Sequence, residues 1–325
     1  MIRHSVLRSA VVGVALTLWS TACGGTTTDG ESTVGALEVP ASTTTTLITE
    51  GRPRAFTTTS EVLVDPSRPT EPVGTMSDAL NERRLNTVIR VPSGVDAAPL
   101  IVFSHGLGGS PARFTQLLDS WAAAGYVVAA PQFPLTSDAN PEHRTEAGDL
   151  ANQPGDVSFV IDQMLAANTA AGGPLAGRID PDRIGAAGLS LGGGTTYGLL
   201  YNDCCADDRV DAAIVMAGAV LVYTGTNDFS RELPLLALHG DADLALPYDL
   251  GRNAWGEVGG PAWLITLVGG SHAAPFEDFE TPWDAMVNEA TTAFWDTHLG
   301  ADASGLTRME TSVAALGPLA FIESR

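Results

Sequence analysis

From about residue 54 onward, the hydrophobic and polar positions alternate between short β-rich apolar runs and longer segments with helical spacing. This alternation is typical of a mostly parallel sheet that is covered by helices on both faces. The apolar runs predict eight strands, near residues 60–65, 84–91, 99–103, 126–130, 183–187, 211–217, 234–239 and 262–268. The intervening segments predict helices near residues 111–124, 155–170, 194–202, 247–256 and 284–298. The pattern therefore predicts an α/β fold. Because the link between the sixth and seventh strands is short, no large lid is expected.

The first residues carry the pattern of an export signal. Arg3 and Arg8 precede an apolar stretch, Val11–Trp19, that is too short to span a bilayer. Small residues then lead into Cys23, as in a bacterial lipobox, where the cysteine is lipidated and becomes the mature N-terminus. Ser20 stands where leucine is usual, so ordinary cleavage and free secretion remain the alternative.

These features divide the precursor into three parts. Residues 1–22 are predicted to be a signal peptide, and residues 23–55 a flexible tether that is rich in threonine and poor in large apolar side chains. Residues 56–325 are predicted to be the folded α/β domain. The protein is expected to be exported, either as a cell-envelope lipoprotein or as a secreted protein, with a lipid on Cys23 as its only membrane contact.

Composition narrows the choice of partners. The chain has 17 basic residues, all of them arginine, against 38 acidic ones, which gives a net charge of −21. Binding to nucleic acid through phosphates is therefore not expected. The sequence contains no zinc-ligand spacing, P-loop or dinucleotide fingerprint, so neither a metal nor a cofactor is predicted.

The strongest chemical signal is the G-x-S-x-G sequence around Ser190. It stands between the apolar run Ile184–Ala187 and a predicted helix. A sharp strand-to-helix turn exposes the serine hydroxyl, and glycine at 188 and 192 removes side chains that would collide there. Ser190 is therefore the predicted nucleophile.

A serine hydroxyl needs a base to accept its proton, and histidine suits this task near neutral pH. In the α/β-hydrolase order, serine precedes the acid and the acid precedes histidine, which excludes four of the six histidines. Of the other two, His298 falls within the apolar pattern of the last predicted helix. His272 follows a strand in a Gly-Gly-Ser-His loop and is the predicted base.

The acid that orients the histidine should follow the strand before the histidine loop. Asp241 and Asp243 both lie there, directly after the apolar run Leu235–His239. Asp243 has the usual G-x-x-D placement and is the preferred acid. Asp241 is expected to cap the turn by side-chain hydrogen bonds.

Acyl transfer also needs amides that face the developing oxyanion. One is expected from Leu191, directly after the nucleophile. The other is expected from Leu107, in the glycine-rich bend Phe103–Gly109 that follows the third strand.

Over residues 54–300 the chain resembles serine hydrolases of the α/β-hydrolase superfamily, and within them the platelet-activating-factor acetylhydrolase and dienelactone-hydrolase-like group. The segments that carry this resemblance are residues 64–70, 103–109, 121–131 and 154–164. The resemblance implies a triad of Ser190, Asp243 and His272 with the Leu107 and Leu191 amides as oxyanion donors. Dienelactone hydrolases use cysteine as the nucleophile, so their lactone substrate is not carried over.

The expected function is serine-dependent hydrolysis of small or short-chain carboxylic esters outside the cytoplasm. A cutinase-like polyester hydrolase or lipase is the alternative, because residues 188–194 are similar to that group, although residues 217–219 lack its usual tryptophan. A non-catalytic binding lipoprotein and a peptidase or amidase also remain open as alternative functions.

Apart from Cys23, the sequence contains two adjacent cysteines, Cys204 and Cys205. They are expected to form either a vicinal disulfide or two buried thiols.

Overall fold

The computed structural model describes residues 53–71, 80–138 and 145–325. The signal peptide predicted at 1–22, the lipidation site at Cys23 and the tether up to residue 52 lie outside the described residues. These three assignments therefore remain predictions.

The described residues form one nine-stranded sheet with helices between the strands. The strands are β1 (Phe56–Asp65), β2 (Arg83–Pro92), β3 (Ala98–Ser104), β4 (Val127–Gln132), β5 (Ile179–Leu189), β6 (Ala212–Met216), β7 (Leu235–Gly240), β8 (Ala262–Leu267) and β9 (Ala320–Ser324). The helices are α1 (Thr115–Ala124), α2 (Gln153–Thr169), α3 (Leu191–Tyr201), α4 (Tyr248–Glu257), α5 (Asp284–His298) and α6 (Gly305–Ala315). Short 3₁₀ turns cover Pro111–Phe114, Ala147–Asn152 and Gly317–Leu319. Within the described part of the chain, no helix is long and apolar enough to cross a membrane.

The strand order is β1-β2-β4-β3-β5-β6-β7-β8-β9. The strands from β4 to β8 pair in parallel, whereas β1 and β2 at one edge and β9 at the other pair antiparallel. Parallel neighbours need crossover connections, and helices lie in all of them except the link from β6 to β7. The mostly parallel α/β fold predicted from the hydrophobic pattern is confirmed.

The predicted count of eight strands needs one correction, because β9 is a ninth. All eight predicted strands are present, but β9 and α6 come after the last predicted helix. The β9 strand spans only five residues, Ala320–Ser324, pairs antiparallel with β8 at the sheet edge, and is buried only at its first residue. A short, half-exposed edge strand does not need the long apolar run by which buried parallel strands are recognised.

Helices cover both faces of the sheet because side chains at successive strand positions point to opposite sides. On β3, Leu100 and Val102 pack in the cluster that includes α2, α3 and α4. Ile101 and Phe103 pack in the other cluster, with α1, α5 and α6. Residues 217–234, which join β6 to β7, contain no helix.

A buried ion network ties β2 to α2. The guanidinium of Arg83 donates to both carboxylate oxygens of Asp156 at 2.5 and 2.6 Å, and to Asp149 at 2.7 Å. All three side chains are fully buried. Buried charges of this kind persist only when they are paired.

We expect Arg83→Met to lower the free energy of unfolding by about 3–5 kcal/mol, because it removes the buried cation that Asp149 and Asp156 share and leaves Asp156 paired only with the part-exposed Arg68 in the described structure. The neighbouring Arg84 is the matched control, since its exposed side chain pairs, within the described ranges, with Glu82 alone. Arg84→Met should change stability by less than about 0.5 kcal/mol. Urea-induced unfolding measures both, and equal losses in the two variants would contradict a structural role for the network.

Candidate active site

Ser190 occupies a sharp bend between β5 and α3. Its backbone has φ 57° and ψ −115°, a region that residues other than glycine rarely adopt. The bend is held by a hydrogen bond from the Ser190 amide to the Met216 carbonyl at 2.9 Å, and by one from the Gly194 amide to the Ser190 carbonyl at 3.0 Å. The hydroxyl therefore stands at the carboxyl end of β5, a central strand of the sheet.

Two glycines make this bend possible. A β-carbon on Gly192 would lie 2.0 Å from the Ser104 carbonyl oxygen, and one on Gly188 would lie 2.2 Å from the Gly192 carbonyl oxygen. Real β-carbons do not approach backbone oxygens so closely. The requirement for glycine at both positions, inferred from the sequence, thus has a steric cause in the close packing of β3, β5 and the start of α3.

The structure brings together the side chains of the predicted triad, Ser190, His272 and Asp243. They form a chain of hydrogen bonds, the relay. The Nε2 atom of His272 lies 2.7 Å from the Ser190 hydroxyl oxygen, and its Nδ1 atom lies 2.6 Å from Oδ2 of Asp243. The Asp243 side chain is fully buried, whereas the His272 side chain is 22% exposed. His272 lies on the loop after β8, so three segments that are distant in sequence meet at one edge of the sheet.

The two candidate acids have separate roles in hydrogen bonding. The Oδ1 atom of Asp241 accepts a hydrogen bond from the Gly269 amide at 2.6 Å, which joins the loops after β7 and β8. In Asp243, Oδ1 accepts the amides of Ala245 and Leu246, each at 2.8 Å, so the carboxylate is fixed in its own loop.

A glycine-rich loop lies against the serine at the predicted oxyanion position. A β-carbon on Gly106 would lie 3.2 Å from Cβ and 3.8 Å from Oγ of Ser190. Leu107 follows directly. Leu191 is the first residue of α3, so its amide has no acceptor within the helix. Both predicted amide donors therefore belong to segments that adjoin the serine.

A buried histidine, His105, is hydrogen-bonded within this loop, and no role for it was predicted from the sequence. Its ring makes a 2.8 Å hydrogen bond with the Gly106 carbonyl through Nδ1, and Nε2 accepts the Phe133 amide at 3.1 Å. Because a carbonyl only accepts, Nδ1 carries the proton and the ring is neutral. Burial lowers the pKa of His105 to about 4, which keeps it neutral.

The described residues hold no group of three or more histidine, cysteine or acidic side chains that is suited to a metal ion.

Cys204 and Cys205 form a vicinal disulfide in the turn after α3. That turn lies beyond Tyr201, the last residue of α3, whereas Ser190 precedes the first residue of the same helix.

A mostly parallel sheet with a G-x-S-x-G bend after a central strand defines the α/β-hydrolase fold. Within this class, residues 76–153 match the family platelet-activating factor acetylhydrolase, isoform II. The match covers 78 of the 325 residues and contains the glycine-rich loop, but it ends before Ser190. The resemblance to this group that the sequence predicted is thus confirmed.

Among solved structures, the chain is similar to a ferulic acid esterase from Streptomyces cinnamoneus, with a TM-score of 0.62 and 22% sequence identity. The similarity covers 85% of this chain and 98% of the esterase, and it shows that the two share a fold. No curated protein sequence is significantly similar to the chain.

Proposed function

We propose that this protein is a serine hydrolase that cleaves carboxylic esters through an acyl-enzyme. The observation that carries the proposal is the continuous hydrogen-bonded relay from the Ser190 hydroxyl through His272 to Asp243. The resemblance to two groups of esterases supports the same reaction class.

The hydrogen bonds of the relay define the proton positions that the reaction needs. An ionised Asp243 only accepts hydrogen bonds, so Nδ1 of His272 carries a proton and Nε2 is left with its lone pair toward Ser190. Ser190 Oγ then attacks the ester carbonyl carbon while Nε2 takes the hydroxyl proton. The resulting imidazolium is stabilised by the buried carboxylate.

The remaining steps follow from the same geometry. The Leu107 and Leu191 amides donate to the negatively charged oxygen of the tetrahedral intermediate, a contribution worth about 10²–10³ in rate for each donor. His272 returns its proton to the leaving alcohol. A water molecule, activated by His272, then attacks the acyl-enzyme and releases the acid, which restores the Ser190 hydroxyl.

We expect Ser190→Ala to lower kcat/KM on p-nitrophenyl acetate by at least about 10³-fold, because only the serine oxygen forms the acyl bond. The matched control is Ser271→Ala, which removes an exposed hydroxyl next to His272 and should leave kcat/KM within about twofold. Steady-state kinetics measure both, and circular dichroism checks that both fold. A Ser190→Ala variant that keeps most of the activity would rule out this mechanism.

A small acyl group is the favoured substrate, since the matching family is named for an acetylhydrolase. A second candidate, hydrolysis of bulky or insoluble esters, is favoured by exposed apolar side chains near the site. Leu107 in the oxyanion loop is 44% exposed, and Leu244, next to Asp243, is 98% exposed.

An ester series from acetyl to palmitoyl, run beside methyl ferulate and a polyester film, separates these candidates. A short-chain esterase should lose kcat/KM steadily as the acyl chain lengthens and leave the film intact. If the film is the substrate, Leu244→Ser should lower film hydrolysis relative to acetate hydrolysis, because exposed apolar area promotes adsorption. Equal rates across the whole series would contradict the short-chain assignment.

We propose that the protein acts outside the cytoplasm, on the strength of the N-terminal pattern that ends at Cys23. Mass spectrometry of the mature protein from its host should find an N-terminal cysteine that carries acyl chains. The Cys23→Ser variant should lose the acyl mass. A mature protein that retains residues 1–22 would contradict export by this signal.

A further inference from the structure

A second histidine contacts the carboxylate of the relay. His239, at the end of β7, places its Nε2 atom 3.0 Å from Oδ2 of Asp243, the same oxygen that lies 2.6 Å from His272. The side chain of His239 is 2% exposed. Two imidazoles, one buried and one facing the serine, thus share a single carboxylate oxygen.

The backbone fixes which nitrogen of His239 carries the proton. Its Nε2 atom also lies 3.0 Å from the Leu246 carbonyl oxygen, which only accepts hydrogen bonds. Nε2 therefore carries the proton and donates it jointly to the Leu246 carbonyl and to Asp243. With the Ala245 and Leu246 amides on Oδ1, the Asp243 carboxylate accepts four hydrogen bonds.

The ring of His239 is enclosed by α4. Tyr248 stands edge-on to it, with ring centroids 5.7 Å apart. Gly251 faces its Nδ1 atom so closely that a β-carbon there would lie 2.2 Å away. Burial lowers the pKa of His239, against the opposing effects of the Leu246 carbonyl and Asp243. The ring is therefore held as a neutral donor in one orientation.

Several other charged or titratable groups surround this pair of histidines. From α4, Tyr248 contacts His239, and Arg252 lies within hydrogen-bond distance of the Tyr248 hydroxyl. From the loop after β8, Glu277 interacts electrostatically with His272 and also with Arg113. Asp241, on the loop after β7, is bonded to the Gly269 amide. Among the described residues, the side chains that donate to Oδ2 of Asp243 are His239 and His272, and none of these surrounding groups does so.

We propose that His239 is a positioning residue for ester hydrolysis, which holds the relay carboxylate by donating to the oxygen that His272 uses. This inference rests on the proposed function. The hydrogen bond from His239 withdraws part of the negative charge from Oδ2. Without it, the carboxylate interacts more strongly with the protonated form of His272, which then keeps its proton to a higher pH.

The test compares His239→Phe, which keeps the ring volume but removes the donor, with His239→Gln, whose amide restores an N–H near the position of Nε2. In His239→Phe, the acidic limb of the plot of kcat/KM against pH, measured on p-nitrophenyl acetate, should shift to higher pH by about 0.5–1 unit. The value of kcat should fall about tenfold, because Asp243 is less firmly oriented. His239→Gln should return the limb to within about 0.3 pH unit of the unmodified protein.

His298→Phe is the matched control, because it replaces a half-buried histidine that packs on Trp263 and Phe294 and takes no part in the relay. The acidic limb of the kcat/KM profile of this variant should stay at the same pH as in the unmodified protein. If His239→Phe folds and its limb coincides with that of the unmodified protein, the inference is overturned. If the unmodified protein shows no activity that depends on Ser190, the proposed function itself fails.

A second measurement needs no variant. In ¹⁵N-histidine NMR spectra of the unmodified protein, His239 should show a protonated Nε2 and a neutral ring across the whole acidic limb. This result supports the proposal even where His239→Phe does not fold. Protonation on Nδ1 alone, or a ring that gains charge within that range, would overturn it.

Discussion

The reactive arrangement depends on a strained backbone at Ser190. A residue with φ 57° and ψ −115° costs on the order of 1–3 kcal/mol, so the surrounding structure must hold it. It does so with strand β6, whose Met216 carbonyl accepts the Ser190 amide, and with the first turn of α3. The glycines at 188 and 192 are needed because the backbones of β3, β5 and α3 lie in direct contact here and leave no room for a β-carbon.

The bend matters because parallel strands end at the same edge of the sheet. The loops after β3, β5, β7 and β8 therefore converge on one place, and they carry Gly106, Ser190, Asp243 and His272. The carboxylate at one end of the relay is fully buried, whereas His272 and Ser190 are only partly buried. Charge is stabilised at the buried end, while the ester needs access only at the hydroxyl end.

Sequence reasoning identified the parts of this arrangement that have strong local signals. Buried parallel strands are apolar runs, and the serine bend requires glycines at fixed spacing, so both were visible in the pattern. The strand β9 was missed because a half-exposed edge strand shows no such run. The buried network of Arg83 was missed because burial of an arginine depends on partners 66 and 73 residues away. The contact of His239 with Asp243 depends on ring orientation, although a histidine four residues before the acid, at a strand end, was an available signal.

The proposed catalysis depends on the reactivity of one hydroxyl, that of Ser190, and covalent labelling tests this reactivity most directly. A fluorophosphonate probe should form one adduct per molecule, and peptide mapping by mass spectrometry should find it on Ser190. Replacing His272 with glutamine should slow labelling strongly, because the hydroxyl then loses its base. A protein that binds the probe reversibly, or carries the adduct on another residue, would contradict the account.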